Sequence, residues 1–115
     1  MSRKSLFLLL SLLPLLLLTA CDLDTVSEVK NDPFKFEKDT AHLGGIVTKT
    51  YGVMGWGIYE IEDRTGKMYV VSQGRGVPGK GAKVEVKGHT KNAFTLAGMD
   101  YGTVLMESSR KIHND

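Results

Sequence analysis

The chain has 115 residues, 42% of them apolar and 24% charged, which suits one folded domain and excludes a collagen, a coiled coil and a multi-domain enzyme. The formal net charge of +2 includes Arg3 and Lys4, whereas residues 21–115 carry 13 basic and 13 acidic side chains, so a polycation is also excluded. The single cysteine excludes an intrachain disulfide framework and a cysteine-rich zinc site.

A basic and then strongly apolar segment opens the chain. Residues 1–5 include two basic side chains, and residues 6–18 form an apolar run broken only by Ser11 and Pro14. A run of that length reaches about 20 Å as a helix, short of the roughly 30 Å hydrocarbon core of a bilayer. Residues 1–20 are therefore predicted to be a signal peptide rather than a permanent membrane span.

The apolar run ends in Leu18-Thr19-Ala20-Cys21, which resembles the lipobox of bacterial lipoproteins at all four positions. The resemblance implies cleavage between Ala20 and Cys21 and a covalent lipid on Cys21, and no other cofactor is expected. Acyl chains contribute about 0.8 kcal/mol per buried methylene, so two or three of them anchor a protein stably. The alternative is that Cys21 only ends an ordinary secretory signal or an uncleaved anchor.

The lipobox also predicts the location of the protein. The expected place is the periplasmic face of a bacterial membrane, where a lipid-anchored protein meets components of the cell envelope. Asp22 follows the lipidated position, and an aspartate there resembles the signal that retains enterobacterial lipoproteins at the inner membrane. The inner membrane is therefore favoured over the outer membrane.

Residues 21–40 are predicted to be an acidic tether. Six acidic side chains in this segment stand against three lysines, glycine is absent, and Pro33 interrupts the segment. The part up to Asp32 is expected to be flexible. Residues 34–38, where two phenylalanines alternate with charged residues, are either a short strand or more of the linker.

Residues 41–115 are predicted to form an all-β domain. All thirteen glycines lie between Gly44 and Gly102, and the segments between them are short and alternating. Arg64-Thr65-Gly66-Lys67 is predicted to be a hairpin turn. The predicted strands are residues 44–52, 56–63, 68–72, 82–88, 93–97 and 103–109. The predicted core residues are Tyr59, Ile61, Met68, Val70, Val84, Val86, Phe94, Val104 and Met106.

Two segments resemble a known fold family. Residues 59–71, YEIEDRTGKMYVV, resemble strands two and three of oligonucleotide/oligosaccharide-binding (OB) folds, and residues 81–88, GAKVEVKG, resemble strand four of small bacterial OB proteins. The number of segments suits a small barrel of five or six strands, and the resemblance implies that it is OB-like. Together with the lipobox and the absence of catalytic groupings, it predicts a non-catalytic binding or assembly module of the cell envelope. OB folds usually carry a helix between strands three and four, but residues 73–81 are too short and glycine-rich for one. An SH3-like barrel is therefore the alternative.

Charge and aromatic residues suggest a ligand face. Seven basic side chains and one acid lie between Arg64 and Lys91, a local net charge of +6. Strands two and three commonly form the OB binding face, and basic groups beside aromatic rings are what single-stranded nucleic acid binding uses. The candidate ligand face comprises Trp56, Arg64, Lys67, Tyr69, Arg75 and Lys80.

Three interpretations of this basic surface remain. The ligand face suits an anionic ligand, which is single-stranded nucleic acid, an acidic glycan or a lipid headgroup. The same basic residues are also what the solvated surface of a small domain contains. In the remaining alternative the barrel binds another protein of the envelope.

Neither a catalytic nor a metal motif is found in the sequence. Residues 74–80 match the start of a Walker A motif, but residue 81 is glycine where Ser or Thr is required, and a strand is predicted to follow. The histidines His42, His89 and His113 lack metal-ligand spacing. None has a tyrosine four residues later, as in the H-x-x-x-Y motif of the cytochrome c maturation haem chaperone. We therefore expect a protein that is not an enzyme and holds no metal.

Overall fold

The computed structural model describes residues 23–53 and 55–113. The predicted signal peptide, with Ala20, and the predicted lipidation site Cys21 lie outside these residues. Within the described residues, two short helices precede seven strands. The helices are α1 (Val26–Asn31) and α2 (Pro33–Lys38), and the strands are β1 (Ala41–Val53), β2 (Trp56–Asp63), β3 (Gly66–Gln73), β4 (Lys83–Lys91), β5 (Thr95–Leu96), β6 (Met99–Asp100) and β7 (Val104–His113).

Five of these strands close into a barrel in the order β1-β2-β3-β7-β4, with β4 pairing back to β1. Neighbouring strands are antiparallel except β3 and β7, which pair in parallel through Val70 with Leu105 and Val71 with Met106. The strands β5 and β6 form a separate two-stranded hairpin. A small closed five-stranded barrel confirms the predicted all-β class and OB-like architecture.

The strand predictions hold best in the middle of the chain. β2 has the predicted limits, because alternation and the Asp63–Gly66 turn define it locally. β1 begins three residues earlier than predicted, and β4 and β7 run to Lys91 and His113. The strand predicted over residues 93–97 is wrong: only residues 95–96 are extended, as the first arm of the β5–β6 hairpin.

The prediction of a flexible tether is wrong for the part that the structure describes, which is helical and capped. The Thr25 side chain accepts a hydrogen bond from the Glu28 backbone N–H (3.2 Å) and begins α1. Asp32 caps α2 in the same manner, with Pro33 in the first turn. Residues 34–38 are therefore helical rather than a strand or linker.

The helices contribute directly to the barrel core. Val26 and Val29 are fully buried, and Phe36 is 4% exposed. The segment is also tied to β1, because the Asp24 N–H donates to the His42 carbonyl (2.8 Å) and the His42 N–H donates to the Asp24 carboxylate (2.9 Å). The folded domain therefore begins near residue 24, well before the predicted boundary at residue 41.

Buried side chains form two clusters. The larger one fills the barrel and includes Tyr59, Ile61 and the apolar residues of the helices. The smaller one lies outside the barrel, between the outward face of β2–β3 and residues 92–104, and is built on Ile58, Val71, Phe94 and Val104. Of the predicted core residues, all but the half-buried Met106 are buried.

Candidate functional site

Residues 92–103, named here the outer hairpin, cover part of the outward face of β2–β3. Two backbone hydrogen bonds close its base, from the Phe94 N–H to the Gly102 carbonyl (2.9 Å) and from the Tyr101 N–H to the Phe94 carbonyl (2.8 Å). The Phe94 ring packs against Trp56 with their centroids 6.0 Å apart. The outer hairpin therefore packs on Trp56, an aromatic residue of the predicted ligand face.

A cleft of about 390 Å³ stays open beside the outer hairpin. Two aromatic rings form its wall, because Tyr69 of β3 meets Tyr101 edge to face at 5.4 Å. The ammonium group of Lys30 reaches over from α1 and donates to the Lys67 carbonyl (3.1 Å). The lining of this tyrosine–lysine cleft comprises Lys30, Glu60, Lys67, Met68, Tyr69, Tyr101, Gly102 and Thr103.

Strand β1 extends the same surface. Lys49 pairs with Glu60 and Tyr51 pairs with Ile58, so both side chains point outward with the residues of the cleft. Lys49 is exposed, and Tyr51 is 42% exposed. Two tyrosines and two lysines thus line the cleft, and Lys49 and Tyr51 lie on the adjoining surface of β1.

The electrostatics of the cleft involve the Tyr69 phenol and the neighbouring Glu60 carboxylate. Burial raises the pKa of the Tyr69 phenol, and the nearby Glu60 carboxylate raises it further, against the opposing effect of Lys49. Glu60 is only 7% exposed, and its carboxylate accepts a hydrogen bond from the Thr48 hydroxyl (2.7 Å). The Tyr69 phenol is therefore neutral at neutral pH, and the Glu60 side chain beside it is largely shielded from solvent.

The structure does not bring the six predicted face residues together. Lys67 and Tyr69 line the cleft, whereas Trp56, on the same face, lies under Phe94. Arg64 lies in the β2–β3 turn and lines a groove on another side of the barrel. Lys80 is exposed in the loop between β3 and β4.

Arg75 is committed to a buried polar network at β7. Its guanidinium donates to the Ser108 carbonyl and lies 3.7 Å from the Glu107 carboxylate. Glu107 also accepts from the Tyr59 hydroxyl (2.5 Å) and from Arg110 (3.2 Å). Burial, and then the Glu107 carboxylate, raise the pKa of Tyr59 far above its ordinary value. The Arg75 guanidinium therefore pairs with a carboxylate of the barrel and does not line the tyrosine–lysine cleft.

Four residues around the cleft were not predicted from the sequence. The sequence analysis places Lys30 in the tether, although Thr25 followed three residues later by Glu28 is a helix-start pattern that places it on a helix. No sequence signal indicates that Lys49, Tyr51 and Tyr101 share the surface with Tyr69, because they come from different segments.

Two of the histidines, His42 of β1 and His113 of β7, lie on either side of Glu85 of β4. His113 lies 2.7 Å from the Glu85 carboxylate, and His42 lies 3.6 Å from its other oxygen. Within residues 23–53 and 55–113, no group of three or more His, Cys, Asp or Glu side chains is arranged to hold a metal ion. Neither helix of the described chain is long and apolar enough to cross a membrane.

Comparison with solved structures shows the same fold in proteins of very different length. Asparaginyl-tRNA synthetase from Pyrococcus horikoshii superposes with a TM-score of 0.64 at 20% identity, over 79% of this chain and 23% of that chain. The same enzyme complexed with asparaginyl-adenylate gives a TM-score of 0.64 over 80% and 22%. The chain is an OB-like barrel. It spans about a quarter of the length of these synthetases.

A smaller protein superposes over most of its own length. The OBody AM3L09, in its structure bound to hen egg-white lysozyme, gives a TM-score of 0.55 at 17% identity, over 70% of this chain and 86% of that chain. At these identities the likeness concerns the fold. No family model matches the sequence, and no curated protein matches it.

Proposed function

We propose that the protein is an exported bacterial lipoprotein, anchored through Cys21 at the periplasmic face of the membrane, with an OB-like barrel that is a non-catalytic binding module. Its ligand is single-stranded nucleic acid, bound in the tyrosine–lysine cleft. The lipobox supports the anchor, and the composition of the cleft supports the class of ligand.

The observation that carries the ligand class is that Tyr69 and Tyr101 share one cleft with two lysines, with Tyr51 exposed on the adjoining strand β1. Phenol rings stack on bases of any sequence, and ammonium groups neutralise phosphates. The similarity to two structures of a tRNA synthetase, whose name includes an RNA, supports the same class.

Titration of the detergent-solubilised protein with fluorescent oligothymidylate tests this proposal. Tyr51→Ala removes an exposed ring, and we expect it to weaken binding by about tenfold, the value of one stacked base. Lys67→Ala removes one phosphate contact, so the slope of log Kd against log salt concentration should fall by about 0.7.

Lys80→Ala is the matched control, because it removes the same charge from an exposed loop outside the cleft. We expect its affinity and salt slope to equal those of the wild type. Equal losses for Lys67→Ala and Lys80→Ala would contradict a defined site. Full displacement of the oligonucleotide by an acidic polysaccharide would reassign the cleft to acidic glycans.

The anchor is tested by Cys21→Ser. Without the thiol no lipid is attached, so the protein should leave the membrane fraction of cells that express it. Asp22→Ser is the control, since it keeps the thiol and should remain with membranes. If Asp22 is the retention signal, this variant should move from the inner to the outer membrane. Membrane retention of Cys21→Ser at the wild-type level would refute the lipid anchor.

A second candidate is binding of an envelope protein through the outer hairpin. The OBody structure bound to lysozyme supports it, and so does Met99, an apolar side chain that is 60% exposed at the hairpin. A photo-crosslinker at position 99 should then capture one discrete partner in cells, with capture unaffected by added oligonucleotide. Capture that oligonucleotide abolishes would favour the cleft instead.

A further inference from the structure

The outward side chains of β1, β4 and β7 form a surface that the proposed function does not use. Residues 42–46, 83–87 and 109–113 pair directly, so that Ile46 lies beside Lys83 and Gly44 beside Glu85. We name the outward residues of these three segments the docking face. In the strand order of the barrel, β4 lies between β1 and β7 and pairs with neither β2 nor β3. The centre of the docking face is therefore across the barrel from the tyrosine–lysine cleft, and its edge at Ile46 meets Glu62 of β2.

The docking face carries more basic than acidic side chains. Lys83, Lys87 and Lys111 are exposed there against the single carboxylate of Glu85, and three positive charges minus one leave a formal net charge of +2. Glu85 itself is engaged by His113 at 2.7 Å and by His42 at 3.6 Å.

Two apolar side chains project from this cationic surface. Ile46 is 42% exposed, and Leu23 is 40% exposed. The Leu23 side chain lies over Gly44, where a Cβ would be 3.2 Å from it. Between them runs a groove of about 670 Å³, whose lining also includes Arg64 and the carboxylates of Glu62 and Asp63. The Asp63 carboxylate already accepts hydrogen bonds from backbone N–H groups.

The path of the chain indicates what this face meets. Residue 24 is pinned to β1 by two hydrogen bonds with His42, and Leu23 lies on the docking face. A chain extends at most about 3.6 Å per residue, so Cys21 lies within about 7 Å of Leu23. A lipid on Cys21 therefore enters the bilayer beside this face, with almost no tether to separate them.

We infer that the docking face lies flat on the anionic bilayer that holds the anchor and that Leu23 and Ile46 insert at its headgroup region. This inference rests on the proposed lipidation of Cys21. Lysines near an anionic bilayer are attracted to it, and apolar side chains at its surface bury against the acyl boundary. The barrel is then held in one orientation, with the tyrosine–lysine cleft turned away from the membrane.

Quenching of tryptophan fluorescence by brominated lipids tests this orientation in the lipidated protein, reconstituted into vesicles of phosphatidylglycerol and phosphatidylcholine. The background is Trp56→Phe, which removes the only native tryptophan. Ile46→Trp reports the docking face, and Tyr51→Trp is a matched reporter, because both positions lie on β1 and both are 42% exposed. We expect the brominated lipids to quench the Ile46→Trp fluorescence at least about twice as strongly as the Tyr51→Trp fluorescence.

Charge reversal supplies the second arm. Lys83→Glu with Lys111→Glu should reduce quenching of the Ile46→Trp reporter, whereas Lys80→Glu, outside the docking face, should leave it unchanged. The same reduction is expected in vesicles of phosphatidylcholine alone.

Mass spectrometry of the same preparation separates the two ways in which the inference fails. Lipidated protein with equal quenching at both reporters overturns the docking face and leaves the lipoprotein proposal intact. Protein without the lipid mass on Cys21 overturns the anchor and the docking face with it. Either result leaves the oligonucleotide test of the cleft unaffected.

Discussion

Glu107 is the residue on which the polar network of the barrel depends. Its side chain is fully buried, and it receives the Tyr59 hydroxyl and the guanidinium groups of Arg75 and Arg110. The Arg110 guanidinium also lies 5.7 Å over the Tyr59 ring, a favourable cation–π position. A buried carboxylate costs desolvation energy that only such partners offset.

Glu107→Gln is expected to lower the free energy of unfolding by about 2–3 kcal/mol, because it leaves two guanidinium groups facing a neutral amide. Glu62→Gln, at an exposed position of β2, should change it by no more than about 0.5 kcal/mol. Urea unfolding monitored by circular dichroism measures both. Equal urea midpoints for the two variants would contradict a structural role of Glu107.

Asp63 makes stability depend on acid pH. Burial alone would raise the pKa of its carboxyl, but hydrogen bonds from Thr65, Gly66 and the Val26 N–H outweigh burial and lower the pKa below its ordinary value of 3.8. A carboxyl with a lowered pKa in the folded state contributes stability above the unfolded value, and this contribution is lost as the pH falls through the folded value.

Asp63→Asn is therefore expected to be less stable than the wild type at pH 7, with the gap closing as the pH falls below about 4. Unfolding by urea at pH 7, 5 and 3 measures the gap; these pH values bracket roughly the unperturbed carboxyl pKa. A gap of constant size at all three pH values would rule out the carboxylate as its cause.

At the scale of elements, the pairing of β4 with β7 depends on a glycine of β4 opposite a bulge in β7. The register with β7 shifts between Lys87 and Gly88, and a Cβ on Gly88 would lie 2.1 Å from the Met106 carbonyl oxygen. The sequence places Gly88 at the end of the OB-like segment 81–88, but only the approach of β7 explains why a side chain is excluded.

Gly88→Ala is expected to destabilise the domain by about 3 kcal/mol, since the β4 or β7 backbone must shift. Gly79→Ala is the control, because nothing lies within 4 Å of its Cβ position. Thermal unfolding measures the melting temperature of both variants. Equal melting temperatures would contradict the prediction.

The helices show how far local signals reach. Thr25 with Glu28 and Asp32 with Pro33 are helix-start patterns that the sequence displays openly. Helices of six residues are nonetheless unstable alone and too short for a clear amphipathic period. α1 and α2 form because Val29 and Phe36 find a barrel core to enter, and that contact is not visible in the local sequence.

At the scale of the whole molecule, helices and barrel share one core. The larger buried cluster joins Val26, Val29 and Phe36 to the inward residues of the strands. The N-terminal segment is consequently part of the domain, and loosening it should loosen the barrel.

Val29→Asp places an unpaired carboxylate in this core and is expected to unfold the entire domain, a loss of more than about 3 kcal/mol. Asn31→Asp, exposed on the same helix, should leave a single cooperative transition near that of the wild type. Trp56 fluorescence and circular dichroism follow the outer face and the strands. Selective loss of the helices with an intact barrel transition would argue against a shared core.

The sequence by itself determined the all-β class, the β2–β3 hairpin and most core positions, because alternation, turn residues and glycine placement act within about ten residues. It also predicts the lipid anchor from four consecutive residues. Only the tertiary structure decided that Trp56 lies under the outer hairpin, that Arg75 faces Glu107, and that Lys30, Tyr69 and Tyr101 share a cleft. Each of these contacts joins segments about thirty or more residues apart, where packing and strand pairing, rather than local pattern, determine which side chains meet.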